Sequence, residues 1–412
     1  MKQPAISSLI LILLIVAALF FVSYSMSSNN KKEPEGFYLG VAFCGNTTAE
    51  AKLLIDKVKG YTNLFVLQSW PISNNETAAT EICDYAVASG LNIIVNFGIN
   101  WSYSRVWTWQ FPWLEAAKQR YGTRFLGAYY DDEPAGNQLD YNWFNFFLKY
   151  SSYFKENPHK SLLHEIFADL EDKMANVTMH EPKDYDTEAA WFQMLFENNN
   201  GLQSLRKAGI RTFTSDYVLY WFDYLGGYDV MLAQFGWNNS YIQDIALVRG
   251  AARMQDKSWG AIITWKYTEP PYLDSGEEIY RQMHAAYEAG AEYVVIFNYP
   301  QIEENPYGAL KSEHFEALQK LWDEATQKPR NADAGQAEAV LVLPRNYGWG
   351  MRHPEDWIWG FWGPDAKSQL IWEVSRKLIS QYGTRLDIVY DDPEFPVEGK
   401  YPLIYYWNQT VQ

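Results

Sequence analysis

Hydrophobic and polar positions follow one recurring order along this chain. A short β-branched or aromatic run is followed by a polar turn, a helix with one apolar face, and a glycine before the next run. This order predicts parallel strands joined by helical crossovers, hence an α/β protein. Strands are expected at Phe37–Phe43, Asn63–Gln68, Leu91–Asn96, Arg124–Asp131, Ile210–Thr214, Tyr228–Phe235, Trp259–Lys266 and Ala291–Asn298. After the first, Thr47-Thr48-Ala49-Glu50 has capping-box spacing, Ala51, Leu54, Ile55 and Val58 share a helical face, and Gly60 stops the helix. Before the eighth, Ser275 caps a helix whose inward set is Ile279, Met283, Ala286 and Tyr287, and Gly290 ends it. A last helix is expected near Ser312–Thr326. Eight such units describe a (β/α)8 TIM barrel. The rival, an open doubly wound sheet, has no Gly-rich phosphate loop to support it.

Three stretches depart from that order. Residues 135–200 are too long for one crossover and predict a helical insertion after strand 4, lying over the strand ends. The polar tract 327–336 marks a junction, so the barrel domain is placed at 37–330 and a small C-terminal α/β module at 331–412. That module has Ala339–Leu343, a helix over Ala366–Gln381, Leu386–Tyr390 and Leu403–Trp407. Three strands are few for an independent domain, so it either leans on the barrel or is incomplete. Its Gly-interrupted cluster Trp349, Trp357, Trp359, Phe361 and Trp362 either closes over the barrel mouth or forms a separate interface. At the other end, Lys2 precedes an apolar run from Leu9 to Val22. Residues 1–25 are therefore read as one N-terminal hydrophobic helix, a signal anchor or signal peptide, followed by a linker over 26–36. The run is short for a span of ~20 residues and long for a cleaved signal of ~7–15, and no clear small-residue cleavage site follows. Anchoring is preferred, with secretion the outcome if the helix is cleaved.

Composition narrows the function classes. Lys+Arg number 34 against 50 Asp+Glu, a net charge of −16, which excludes a nucleic-acid partner because phosphate neutralisation needs clustered cations. Sequons begin at Asn46, Asn75, Asn100, Asn176, Asn238 and Asn408, consistent with an extracytoplasmic glycoprotein. Cys44 and Cys83 match no zinc or redox spacing and read as structural thiols. The six histidines form no HExxH or comparable pattern, so neither a metal nor a cofactor is expected. Aromatics reach 17%, and flat rings with polar edges suit sugar faces as well as cores.

In a barrel of this kind the site lies at the C-terminal strand ends. Those ends are polar and aromatic, and no Ser-His-Asp, Cys-His or phosphate-loop signature competes with them. Glycoside cleavage requires an acid to protonate the leaving oxygen, a carboxylate to attack or to activate water, and rings to stack on sugars. Glu133 and Glu269 are the best-placed carboxylates. The expected substrate-binding set is Trp70, Asn96, Trp101, Tyr130, Asp131, Asp132, Asp216, Trp237, Trp265, Tyr267, Asn298 and Tyr299. A plainer reading stands beside each: Asp131–Pro134 as a solvated helix start, Glu269 as a loop acid before Pro270-Pro271, and the tryptophans as packing.

The stretch Gly127-Ala128-Tyr129-Tyr130-Asp131-Asp132-Glu133-Pro134 resembles the Glu-Pro motif after strand four of the large clan of retaining barrel glycosidases, and Tyr267-Thr268-Glu269 resembles its second Glu at strand seven. The resemblance implies Glu133 as acid/base and Glu269 as nucleophile. A barrel followed by a small α/β module also resembles the beta-galactosidase branch, where a glutamine-amidotransferase-like domain follows. Two positions depart from the pattern. Asp132 stands where the clan has Asn, removing an amide donor to the sugar 2-hydroxyl, and Glu269 lies past the expected strand end. Asp131, Asp216, Asp274 and Glu303-Glu304 are the substitutes. The expected function is an exported glycoside hydrolase-like protein cleaving O-glycosidic bonds through two carboxylates with retention, its partners a carbohydrate and, through the N-terminal helix, a membrane. The alternatives are a non-catalytic cell-surface glycan-binding barrel, or a scaffold assembling through its Trp-rich module.

Overall fold

The computed structural model describes residues 33–97, 109–141, 184–197, 199–237, 239–299, 305–330 and 335–409. The apolar run Leu9–Val22, Trp101, the sequons at Asn100, Asn176 and Asn238, Glu303-Glu304 and most of the expected insertion lie outside these residues. Among the described residues no helix is long and apolar enough to cross a membrane.

Strands β1 (Tyr38–Phe43), β2 (Leu64–Leu67), β3 (Asn92–Asn96), β4 (Phe125–Tyr129), β5 (Thr212–Asp216), β6 (Val230–Phe235), β7 (Ser258–Ile263) and β8 (Tyr293–Ile296) close in chain order into a barrel. Every pair is parallel, and β8 returns to β1, which removes the open-sheet rival. The crossovers contain α1 (Thr48–Val58), α2 (Glu76–Ala88), α3 (Gln110–Tyr121), α4 (Pro134–Tyr141), α5 (Tyr185–Glu197), α6 (Asn200–Lys207), α7 (Tyr220–Gly226), α8 (Tyr241–Met254) and α9 (Gly276–Glu288). The last barrel helix is α10 (Ser312–Gln327).

Local chemistry explains where helices start. The Thr47 hydroxyl accepts from Glu50 N–H while the Glu50 carboxylate accepts from Thr47 N–H, a complete capping box for α1. Ser275 caps α9 by accepting from Glu278 N–H, and Ile279, Met283, Ala286 and Tyr287 are buried, as the periodicity predicts. Inside the barrel, Ala42, Val66, Ile94, Tyr129, Phe213, Leu232, Ile262 and Val295 fill the lumen, while their chain neighbours pack outward on the helices. Strand β4 breaks its own alternation. Its register against β3 shifts by one residue, from Ile93 with Phe125 to Ile94 with Gly127, so Leu126 and Tyr129 both belong to the lumen. Gly127 makes this possible, with φ of 152° and a position where a Cβ would lie 2.2 Å from the Arg211 carbonyl.

The C-terminal module leans on the barrel. Strands β9 (Ala339–Leu343), β10 (Leu386–Tyr390) and β11 (Leu403–Tyr406) form a parallel sheet in the order β10-β9-β11, with α11 (Ala366–Tyr382) as a crossover. A buried ion pair joins it to α8, the Arg249 guanidinium donating to Asp387 at 2.7 Å and to the Leu386 carbonyl at 3.0 Å. Trp349 and Trp359 are fully buried, and Trp359 stacks edge-on with Phe222 of α7 and packs against Phe192 of α5. This cluster is a barrel-docking surface, and only Trp357 among the five is exposed.

Candidate active site

Two residues turn β4 out of the sheet. Strand 4 stops at Tyr129, short of the expected Asp131, because Asp131 and Glu133 both take left-handed backbone angles, φ 59° and 53°. For non-glycine residues this costs on the order of 1 kcal/mol each. The tether is Asp216 at the end of β5, whose buried carboxylate accepts N–H groups from Ala135 and Gly136 at the start of α4 and from Tyr217 and Val218. Glu133 N–H in turn donates to the Ser215 carbonyl at 2.9 Å, and its carbonyl accepts the first α4 bond from Asn137.

The carboxyl of Glu133 is thereby carried to the barrel mouth, part-buried, beside the inward-facing residues of three strands. Gln234 of β6 donates through Nε2 to Glu133 Oε1 at 2.8 Å and to Ser215 Oγ at 2.9 Å. Asp132 Oδ1 accepts from the Tyr129 hydroxyl and from Ser215 Oγ. Burial first, then the neighbouring Asp132 charge, push the Glu133 carboxyl up to about 7, against the opposing Gln234 hydrogen bond. Burial also raises Asp132, while its bonds from Tyr129 and Ser215 oppose the shift. Near neutrality, then, the Glu133 carboxyl lies close to its midpoint at the mouth of the barrel, the condition for general-acid chemistry.

On the β6–β8 side the mouth is aromatic and exposed. Trp237 (45% exposed) and Tyr299 (46%) flank Trp265, with ring centroids 6.4 Å and 5.5 Å away, and Tyr272 packs behind it at 5.3 Å. Trp237 N–H donates to the Trp265 carbonyl, which holds the Trp237 backbone in a left-handed turn of φ 50°. Tyr267 and, after β2, Trp70 are also exposed. Strand 7 ends at Ile263, short of the expected Lys266, because Lys266 and Tyr267 N–H groups turn back onto the Tyr272 carbonyl. Glu269 stands exposed on that loop, its carbonyl accepting from Tyr272 N–H. Among the described residues no hydrogen bond or ion pair joins it to the Glu133 network. Asp274, a substitute acid, is paired with Lys266 at 2.7 Å.

The structure thus brings Asp132 and Glu133 to one side of the mouth and Trp237, Trp265, Tyr267 and Tyr299 to the other, while Asp131 and Asp216 are buried, the Asp216 carboxylate taken up by the N–H groups that start α4. Asn96 is buried at the end of β3, and Asn298, nearly inaccessible, accepts from Ala309 N–H. Tyr130 faces the helices, its hydroxyl on Asn199 and its ring against Gly201, away from the mouth. Gln234, Ser215 and Tyr129 complete the acid's surroundings and were not among the expected site residues. Period-two counting from lumen residues Leu232 and Phe213 points Gln234 and Ser215 inward. For Tyr129 no such signal existed, because the β4 bulge reverses the count.

No protein-family model and no curated protein matches the chain. Among solved structures it is similar to GH5_18 from Streptomyces cattleya in complex with GlcNAc, with TM-score 0.50 and 11% identity over 91% of this chain and 99% of that one. A GH5_18 variant from Bifidobacterium longum subsp. longum in complex with Manb1-4GlcNAc aligns with TM-score 0.48 and 11% identity, over 90% of this chain and 96% of that one. A beta-glucosidase aligns with TM-score 0.35 and 12% identity, over 70% of this chain and 91% of that one. With eight parallel strands closed in order and the Streptomyces cattleya protein spanned almost end to end, the fold of this chain is a (β/α)8 barrel.

Proposed function

We propose that this chain is a glycoside hydrolase-like protein in which Glu133 is the general acid/base for cleavage of an O-glycosidic bond. The observation that carries the reading is Glu133 itself: a part-buried carboxyl at the barrel mouth, held by Gln234 and raised to about 7. A carboxyl with that value is protonated often enough at neutral pH to donate to a leaving oxygen, and ionised often enough to accept a proton back. Trp237 and Tyr299 offer faces on which sugar rings stack. Glu269 is proposed as the second carboxylate, reaching the mouth from the loop after β7, and retention follows if it attacks as nucleophile. No cofactor takes part. On this reading the protein works outside the cell, tethered through residues 1–25, which the apolar run Leu9–Val22 supports.

A glycan-binding barrel without turnover is the second reading, and it is favoured by the exposed, unconnected position of Glu269. Assay of the full chain on a panel of unactivated glycosides, N-acetylglucosaminides first, separates the two. Turnover that Glu133→Gln abolishes while binding persists supports the enzyme. Binding without turnover in the unaltered chain supports the glycan-binding protein.

A further inference from the structure

Asp140 and Tyr217 border the acid-bearing segment, and both are tied to the C-terminal module. Arg352, on the Trp-rich loop after β9, forms a two-point bond to Asp140, at 2.9 Å through one terminal nitrogen and 2.7 Å through the other. It holds the buried Asp356 in the same way, at 2.9 Å and 2.7 Å, and its own N–H donates to Asp356 as well. Its guanidinium lies 5.5 Å from the Tyr217 ring centre, and the Tyr217 hydroxyl donates to Asp140 at 2.7 Å. The same ring presses on α4 where Gly136 leaves room, since a Cβ there would come within 2.6 Å of it. Gln138 of α4 is anchored too, donating to the Trp359 carbonyl at 2.9 Å. The eight-residue helix that begins immediately after Glu133 is therefore clamped at its first turn by Asp216 and at its last by Arg352.

We propose that Arg352 is a positioning residue for Glu133: the C-terminal module, through the Arg352–Asp140–Tyr217 clamp, sets the placement of α4 and the charge that the barrel-mouth acid experiences. This inference rests on the reading of Glu133 as the general acid. Planar bidentate pairing with two carboxylates at once is a task for arginine, which lysine fulfils only as a point charge. The groups facing Glu133 are Asp132 on its own turn, Tyr129 of β4, Asp216 and Tyr217 from the end of β5, Asp140 on α4 and the neutral Gln234 of β6. All the ionisable ones are acids or tyrosines. Asp140 raises the Glu133 carboxyl, so the cation on Asp140 counters that effect.

The test is a titration of the Glu133 carboxyl by NMR, without substrate, in the full chain and in Arg352→Gln, Arg352→Lys and Asp140→Asn, alongside kcat and KM on any glycoside the unaltered chain turns over. Arg352→Gln is expected to shift the Glu133 midpoint upward and lower kcat by ~10- to 100-fold, with KM changed by about twofold or less. Arg352→Lys should restore the midpoint but only part of kcat. Asp140→Asn should shift the midpoint down, and adding Arg352→Gln to it should move the midpoint no further. A folded Arg352→Gln protein with an unchanged Glu133 midpoint overturns the proposal. Should Arg352→Gln fail to fold, an unmoved midpoint in both Asp140→Asn and Tyr217→Phe overturns it instead. Absence of turnover in the unaltered chain sinks the hydrolase reading alone, because the titration measures the clamp independently.

Discussion

The two sides of the barrel mouth are built in opposite ways. On the β4–β6 side hydrogen bonds hold the polar groups around the acid: Gln234 on Glu133, Tyr129 and Ser215 on Asp132, and four N–H groups on Asp216. In the loops after β6, β7 and β8 the side chains stand in solvent, with Trp237, Tyr267, Glu269 and Tyr299 all exposed. The contrast separates two tasks. A proton donor needs a fixed position and a depleted solvent shell to hold a raised pKa, whereas rings that receive a sugar must remain uncovered until it arrives.

The comparison can be broken most decisively at its two carboxylates. Glu133→Gln is expected to lower kcat on unactivated glycosides by ~10²–10⁴-fold with binding largely retained. If Glu269 is the partner, Glu269→Gln should lose turnover to the same order, and azide should rescue it as a glycosyl azide. A Glu269→Gln protein with unaltered kcat removes that loop from the chemistry and leaves the buried side to act alone.

The same asymmetry predicts a stability difference. Asp216→Ala leaves buried N–H groups at the start of α4 without an acceptor and should cost about 2 kcal/mol in a urea melt. Trp237→Ala, on the open side, should change the melt by about 0.5 kcal/mol or less while weakening oligosaccharide binding by about fivefold. Equal destabilisation by the two would erase the distinction.

pH provides the smallest and sharpest test. Burial raises the Glu133 carboxyl from 4.5 to about 7, so the folded state binds that proton more tightly than the unfolded chain. Its contribution to stability is complete below 4.5 and is lost as pH rises through about 7. Urea midpoints at about pH 5 and about pH 8 should therefore differ less in Glu133→Gln than in the unaltered protein. Turnover through protonated Glu133 should fall along the same alkaline limb, and an alkaline limb with a midpoint of about 5 or below would contradict the raised value.

Much of the barrel was legible because its determinants are local. The eight strands and the caps at Thr47 and Ser275 lie where alternation and capping chemistry place them, within two or three residues. Glu133 was legible as well, because a Glu-Pro pair after a strand is a short-range pattern. The residues that tune it were not, since Gln234 is 101 positions away in the chain and Arg352 is 212 positions from Asp140. The Trp-rich loop was legible as apolar but not as a docking surface, because composition does not say which neighbour covers a ring.

The amino-acid sequence by itself therefore determined the order of strands and helices, the caps at Thr47 and Ser275, the net negative charge and the candidate acid. Each is settled by periodicity, capping or charge over a few residues. The tertiary structure alone decided which way β4 presents Tyr129, which donor meets Glu133, and that the C-terminal module clamps α4. A register shift of one residue turns a strand's faces over, and the closure of eight strands brings together side chains that no local pattern relates.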